Sequence, residues 1–206
     1  MSPSAILKFL EMVANNNLSV NAAMHLVVLV ALGAVFLVKD ASIRRLLFQA
    51  SVSILFVSVA AHAAVFGNPF TSATFSLLGI AAIAELVWYR NDVALSGSRL
   101  QSGLSLVFIL ISLWYPDFVN KSGAATLLFS AVGVIPCPTL LAGIGLLTLV
   151  YRGSGKLQYG VAVFMGLLYG IIGIFVLKVY LDVALLLLAV IAVYMYFTVK
   201  PDQIPD

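Results

Sequence analysis

Charged residues are what this sequence has least of. They make up 9% of its 206 residues, against about 25% in soluble domains, while 63% are hydrophobic and the mean hydropathy is +1.13. This composition predicts an integral membrane protein whose partner is the lipid bilayer. The net charge is only +3, and the basic residues fall in short loops, a pattern typical of membrane topology and not of nucleic-acid binding.

Cysteine and the signatures of common enzymes are also scarce. The chain has one cysteine, Cys137, which excludes an internal disulfide and any zinc or iron–sulfur site built from several cysteines of one chain. The patterns GxSxG, HExxH and GxxxxGK[ST] are missing, and no lysine falls within a predicted span where retinal would attach. The sequence therefore favours a protein that is not an enzyme, without deciding the question.

Long apolar runs indicate the fold. Roughly 20 apolar residues cross a bilayer as a helix, so the sequence predicts an all-α membrane protein with seven transmembrane helices. The predicted spans are 20–38, 46–66, 73–89, 100–118, 124–151, 158–177 and 181–199. The alternative is six spans, with one of the last two segments re-entrant.

The rest of the chain is short. Residues 1–19 are predicted to form an amphipathic segment on the membrane surface, residues 20–199 the helical bundle, and residues 200–206 a cytoplasmic tail. Residues 1–17 contain no apolar signal core, so we expect no cleaved signal peptide.

The distribution of basic residues predicts the orientation. Eight of the eleven lysines and arginines lie in the tail and in the loops after predicted spans one, three and five. Because basic loops stay in the cytoplasm, we expect the N-terminus outside and the C-terminus in the cytoplasm, in a bacterial inner membrane.

Two prolines interrupt the fifth apolar run, in the tripeptide Pro136-Cys137-Pro138. Proline has no N–H to donate and its ring clashes with the preceding helical turn. Backbone groups freed at membrane depth need protein, water or a bound solute as partner, so broken helices usually lie within protein or line a cavity. We therefore predict a helix broken between residues 132 and 139, beside a polar cavity open to the outside.

Polar and unusual residues on the predicted outer side form the candidate site for a small solute or ion. The residues predicted to bind it are Asn68, Tyr115, Ser130, Pro136, Cys137, Pro138 and Thr139. Glu85 is the only acid well inside a predicted span. Intramembrane carboxylates are usually functional or paired, so Glu85 is interpreted as a carrier of protons or cations. The alternative is a carboxylate that reaches the membrane interface or pairs with Arg90 or Arg99.

The two histidines suggest a different chemistry. His25 and His62 fall at similar depth on adjacent antiparallel spans, so together with Cys137 they are candidate ligands of haem or a transition metal. The alternative is two polar side chains hydrogen-bonded to neighbouring helices.

The segment 133–139, GVIPCPT, resembles a Gly-Val-x-Pro-Cys-Pro-Thr segment of a family of small bacterial multi-pass membrane proteins of unknown function. The same pattern is matched by Tyr115-Pro116, His62, Asn68 and Asp182. The resemblance covers roughly residues 60–193. It implies a multi-pass bacterial membrane protein and implies no activity.

Three functions follow from these observations. The first is a permease or channel-like protein for a small solute or ion, with its site at the helix break. The second is a membrane redox or metal-binding protein that uses His25, His62 and Cys137. The third is a structural or assembly subunit, acting as a homodimer or within a larger membrane complex.

Overall fold

The computed structural model describes residues 2–88, 93–95, 99–121, 123–151 and 155–198, and every regular element in these ranges is a helix. The α-helices are α1 (Pro3–Asn16), α2 (Leu18–Leu37), α3 (Ala41–Val65), α4 (Pro69–Val87), α5 (Arg99–Leu113), α6 (Thr126–Phe129), α7 (Pro136–Leu149), α8 (Lys156–Ile171) and α9 (Asp182–Thr198). A 3₁₀ turn, Gly123–Ala125, precedes α6, and a π-helix, Ile172–Leu177, continues α8.

Four of the helical segments are long and apolar enough to cross a membrane: α2, α3, α4 and Lys156–Leu177, which combines α8 with the π-helix. They confirm an all-α protein of membrane type. The helices α5, α7 and α9 are apolar but have only 15, 14 and 17 residues. At about 1.5 Å per residue they are about 22, 21 and 26 Å long, shorter than the roughly 30 Å hydrocarbon core.

Helix α7 is the centre of the bundle. All fourteen of its residues are buried, and it contacts α2, α3, α5, α8 and α9. A helix that is apolar on every side belongs in an interior, and this one is enclosed by protein. Its length therefore does not have to match the thickness of the bilayer.

The interruption in this region lies earlier than the proline motif. Residues 130–135 are non-helical and α7 begins at Pro136, so the predicted break at residues 132–139 is present over residues 132–135 and wrong over residues 136–139, which are helical. Proline is favoured in the first turn of a helix because its φ is already helical and its missing N–H would have had no partner there. Pro136 and Pro138 therefore start the helix.

This start leaves few unpaired donors inside the bundle. The first four N–H groups of a helix have no partner within it. Here two of the four residues are prolines, and the N–H of Thr139 donates to the carbonyl oxygen of Ile135 at 3.4 Å. Only the N–H of Cys137 has no carbonyl partner among the described residues. The tripeptide thus limits the cost of beginning a helix away from water.

The elements meet at two ends of the bundle. The first residues of α2, α4, α7 and α9 lie at one end with the last residues of α3, α5 and the π-helix; we call it the Cys137 end. Helix α1 packs there against α2 and the π-helix, with Val13 and Ala14 buried and the ring of Phe9 edge-on to that of Phe66 at 6.1 Å.

Candidate functional site

A cavity of about 280 Å³ lies at the Cys137 end. Ile6 and Leu10 of α1 form part of its wall, and the polar groups that line it are Asn68, Thr71, Cys137 and Tyr169. Ligand pockets of proteins are mostly apolar with a few placed polar groups, and volumes of roughly 300 Å³ are at the lower end of their range. The cavity therefore has the size and composition for a small solute.

One wall of the cavity is held by hydrogen bonds between α4 and α8. The Tyr169 hydroxyl donates to Oγ1 of Thr71 at 3.0 Å and also contacts Oγ1 of Thr74 at 3.2 Å. Oδ1 of Asn68 accepts the N–H of Thr71 at 3.1 Å and so caps the start of α4. This cap fixes the position of the Asn68 amide at the cavity wall.

Behind the cavity wall lies a buried acid. Asp182 opens α9 with no exposed surface, and one of its oxygens, Oδ1, accepts a hydrogen bond from the hydroxyl of Tyr115. The Cys137 side chain approaches the same carboxylate. The other oxygen, Oδ2, accepts no hydrogen bond from any of the described residues. Because an unpaired buried polar atom costs free energy, this oxygen marks a position that a ligand can satisfy.

A glycine makes room for that oxygen. A methyl group at Gly173 would overlap Oδ2 and would lie 2.9 Å from Cβ of Asp182. Gly173 is also part of the cavity wall. The free carboxylate oxygen is therefore next to the cavity and close to Cys137, which lines it.

The structure separates the seven residues that the sequence analysis assigned to solute binding. Asn68, Pro136 and Cys137 line the cavity, and Tyr115 reaches it only through Asp182. Pro138, Thr139 and Ser130 are not part of its wall.

Thr139 and Ser130 instead hold the non-helical segment in place. Oγ1 of Thr139 donates to the carbonyl of Ile135 and accepts the N–H of Gly133, both at 2.7 Å. The Ser130 hydroxyl donates to the carbonyl of Ser112 at 2.9 Å. These bonds satisfy backbone groups that the interrupted helix leaves open.

The two histidines have different surroundings. His25 is buried, with Nδ1 2.7 Å from the carbonyl oxygen of Asn21 and Nε2 3.2 Å from that of Leu113. His62 is half-buried, contacts the carbonyl of Ser58 through Nδ1, and lines a small pocket beside the main cavity. Both ring nitrogens of His25 thus have protein partners. The described residues contain no group of three or more His, Cys, Asp or Glu that could hold a metal ion.

Glu85 lies at the opposite end of the bundle, against Gly155. A methyl group at Gly155 would overlap the Glu85 carboxylate. Gly155 is the N-cap of α8, and a negative charge is favourable at the start of a helix. Arg90, one of its predicted partners, falls outside the described residues. Glu85 is therefore remote from the Cys137 cavity.

Sequence reasoning missed four residues of the site. Asp182 was noted as an acid that opens the last predicted span on the outer side, and it also matches the resemblance, but it was not assigned to the site. Gly173 appeared to be an ordinary helix-packing glycine. Thr71 and Tyr169 gave no signal, because one hydroxyl in an apolar helix is common.

No protein-family model, curated protein or solved structure matches this chain. The resemblance at residues 133–139 therefore stays a prediction, and the function has to be argued from the geometry of the site.

Proposed function

We propose that this protein is a bacterial inner-membrane permease or channel-like protein that binds a small solute or ion in the Cys137 cavity. The observation that carries the proposal is the unpartnered Oδ2 of Asp182 beside a cavity that contains a thiol. Transporter sites commonly lie where a broken helix begins inside the bundle. The start of α7 has this geometry, and a bound solute would supply the missing partner.

In this proposal the chain crosses the membrane seven times. Five crossings are single helices: α2, α3, α4, α5 and α9. The other two are composite: one combines α6, the non-helical segment and α7, and one combines α8 with the π-helix. The short α7 can serve because protein surrounds it. Measured along α7, Cys137 is about 18 Å from the cytoplasmic end of the helix, which leaves roughly two fifths of the bilayer core on the other side of it.

The opposite half of the bundle offers polar groups for a second part of the path. Within the described ranges, four atoms of buried side chains in this half have no hydrogen-bond partner: both amide atoms of Gln158, Oε1 of Gln49 and Oγ of Ser105. Unsatisfied polar atoms inside a membrane bundle are costly unless they serve a solute or water. They suit a route that continues from the cavity towards the cytoplasm.

The other two functions have less support. Haem or metal binding through His25 would require ring nitrogens that already contact two carbonyl oxygens. For a homodimer, the natural surface is the row of glycines on α8. That row packs inside the protein: a methyl group added at Gly170 would lie 3.2 Å from the backbone of Leu186, and one added at Gly166 would lie 3.3 Å from Cβ of Ala189.

The orientation is the first part of the proposal to test. The count of eight basic residues against three predicts that the loop around residues 90–99 lies in the cytoplasm. A phosphatase or fluorescent-protein fusion in this loop should give the cytoplasmic signal, and a fusion after Asn68 the external one. Reversed signals would invert the protein and place the cavity on the cytoplasmic side.

Access to the cavity tests transport without a known substrate. A carrier exposes its site to each side in turn, so Cys137 should react with a small charged methanethiosulfonate from both faces of the membrane. Labelling is measured in right-side-out and inside-out vesicles. The same result is expected for Thr71→Cys in a Cys137→Ala background, because Thr71 lines the cavity.

A buried hydroxyl elsewhere provides the matched control. Ser53 is 7% exposed on α3 and does not line the cavity, so Ser53→Cys in the Cys137→Ala background should stay unlabelled from either side. Labelling of Cys137 and Thr71→Cys from one side only would indicate a one-sided binding site and would overturn the transport proposal.

A further inference from the structure

We infer that the solute of this site is a soft monovalent metal cation of the silver(I) or copper(I) class, held between the Cys137 sulfur and Oδ2 of Asp182. The inference rests on the proposed function, because it names the substrate class of the same cavity. It goes beyond that proposal by fixing the two atoms that bind.

The charge around Asp182 favours a cation. The acid is fully buried, and none of the described residues forms an ion pair with it. The other charged group that acts on it is Asp117, which is also acidic. An anion would be repelled by these two acids, whereas a cation placed at Oδ2 is attracted to them.

The kind of ligand selects a soft ion. Thiolate sulfur prefers copper(I) and its relatives, whereas calcium and magnesium take about six to eight oxygen ligands. The described residues hold no third His, Cys, Asp or Glu at this place, so the four protein ligands of a structural zinc site are missing. Silver(I) and copper(I) accept two ligands, which is what Cys137 and Asp182 provide.

Binding at this pair is balanced in charge. The cation forms a bond to the Cys137 sulfur as the S–H bond breaks, and the proton leaves to the solvent. One positive charge replaces another, so the apolar cavity gains no net charge. At the same time Oδ2 of Asp182 obtains the cationic partner that it lacks.

The neighbours hold the pair ready for this role. The Tyr115 hydroxyl binds Oδ1 and so leaves Oδ2 as the free oxygen. Gly173 provides the space in which Oδ2 lies, and the first turn of α7 fixes Cys137. A preorganised pair of this kind gains affinity because little ordering remains to be done on binding.

Silver titration of the purified full chain tests the inference. In chloride-free buffer and a detergent or nanodisc, calorimetry should give one Ag⁺ per chain, and Cys137→Ala should abolish the binding. Asp182→Asn keeps the size of the side chain and removes its charge, so it should weaken Ag⁺ binding at least tenfold. Equal affinity in wild type and Asp182→Asn would show that a bare thiol binds the ion, and would overturn the inference.

A glycine pair on one helical segment gives a second comparison. Gly173→Ala places a methyl group on Oδ2 and should weaken Ag⁺ binding, whereas Gly160→Ala meets Tyr196 only at an ordinary 3.6 Å and should leave it unchanged. If the substituted chains do not fold, X-ray absorption on the wild type decides: one sulfur and one oxygen neighbour support the site, and sulfur alone contradicts it.

The experiments can contradict the transport proposal and the cation proposal independently of each other. If Ag⁺ binding depends on Asp182 but the thiol is labelled from one side only, the protein has a cation site and is not a carrier. Two-sided labelling with Asp182-independent Ag⁺ binding would leave a carrier for a different solute.

Discussion

Replacing Gly133 with alanine is expected to destabilise this protein by about 3 kcal/mol. Gly133 has φ +78°, a left-handed conformation that costs other residues about 1–2 kcal/mol. An added methyl group would also overlap the side chain of Met24, whose Cβ would be 2.8 Å away, and overpacking costs about 1–3 kcal/mol. Because the Gly133 N–H donates to Thr139, the strain falls on the turn that leads into α7.

Unfolding of the detergent-solubilised protein, by heat or by denaturing detergent, measures this loss. Gly103→Ala on α5 is the matched control, since a methyl group there meets nothing within 4 Å. It should be neutral or stabilising by up to about 1 kcal/mol, as expected for glycine to alanine in a helix. Similar behaviour of the two variants would mean that the turn at Gly133 is not constrained as described.

Replacing Tyr115 with phenylalanine is expected to cost about 3 kcal/mol, in the range for a buried charge that loses its partner. The substitution removes the hydroxyl that donates to Oδ1 of Asp182 and leaves neither carboxylate oxygen with a strong donor. The packing of the ring is largely kept, because Tyr115 stacks on Phe118 at 5.7 Å through its aromatic face.

A double-mutant cycle isolates the pair. In an Asp182→Asn background the charge is gone, so Tyr115→Phe should cost about 2 kcal/mol less than in the wild type. The readout is the unfolding free energy of the four proteins under one condition. Additive effects would show that the loss in Tyr115→Phe comes from the ring environment and not from the bond to Asp182.

The fold class could be predicted from the sequence because it follows from the composition and from the length of the apolar runs. Apolar runs of membrane length predict helices, and the four long ones are present. The predicted break at residues 132–139 extended four residues too far, because proline in an apolar run fits two situations: a break at the proline, or a new helix that begins with it. The structure selects the second, with the non-helical residues before Pro136.

The site could be predicted from the sequence only in part, for a different reason. Cys137 and Asn68 were identified because they are unusual residues in an apolar chain. Which residues they face depends on the rotation of each helix about its axis, and helices that are apolar on every side carry little pattern to indicate it. The contact of Cys137 with Asp182, and the separate surroundings of His25 and His62, are therefore results of packing that sequence periodicity does not encode.

The enclosure of α7 also sets an order of events during synthesis. A chain enters the membrane from its N-terminus as it is made, and Tyr169, Gly173 and Asp182 all follow α7 along the sequence. When α7 is first made, the faces that α8 and α9 later cover are not yet covered by this chain. Cys137 is therefore without its carboxylate neighbour during this period, and the cavity is complete only when α8 and α9 have packed against α7. The Cys137–Asp182 pair is thus a product of the last step of folding.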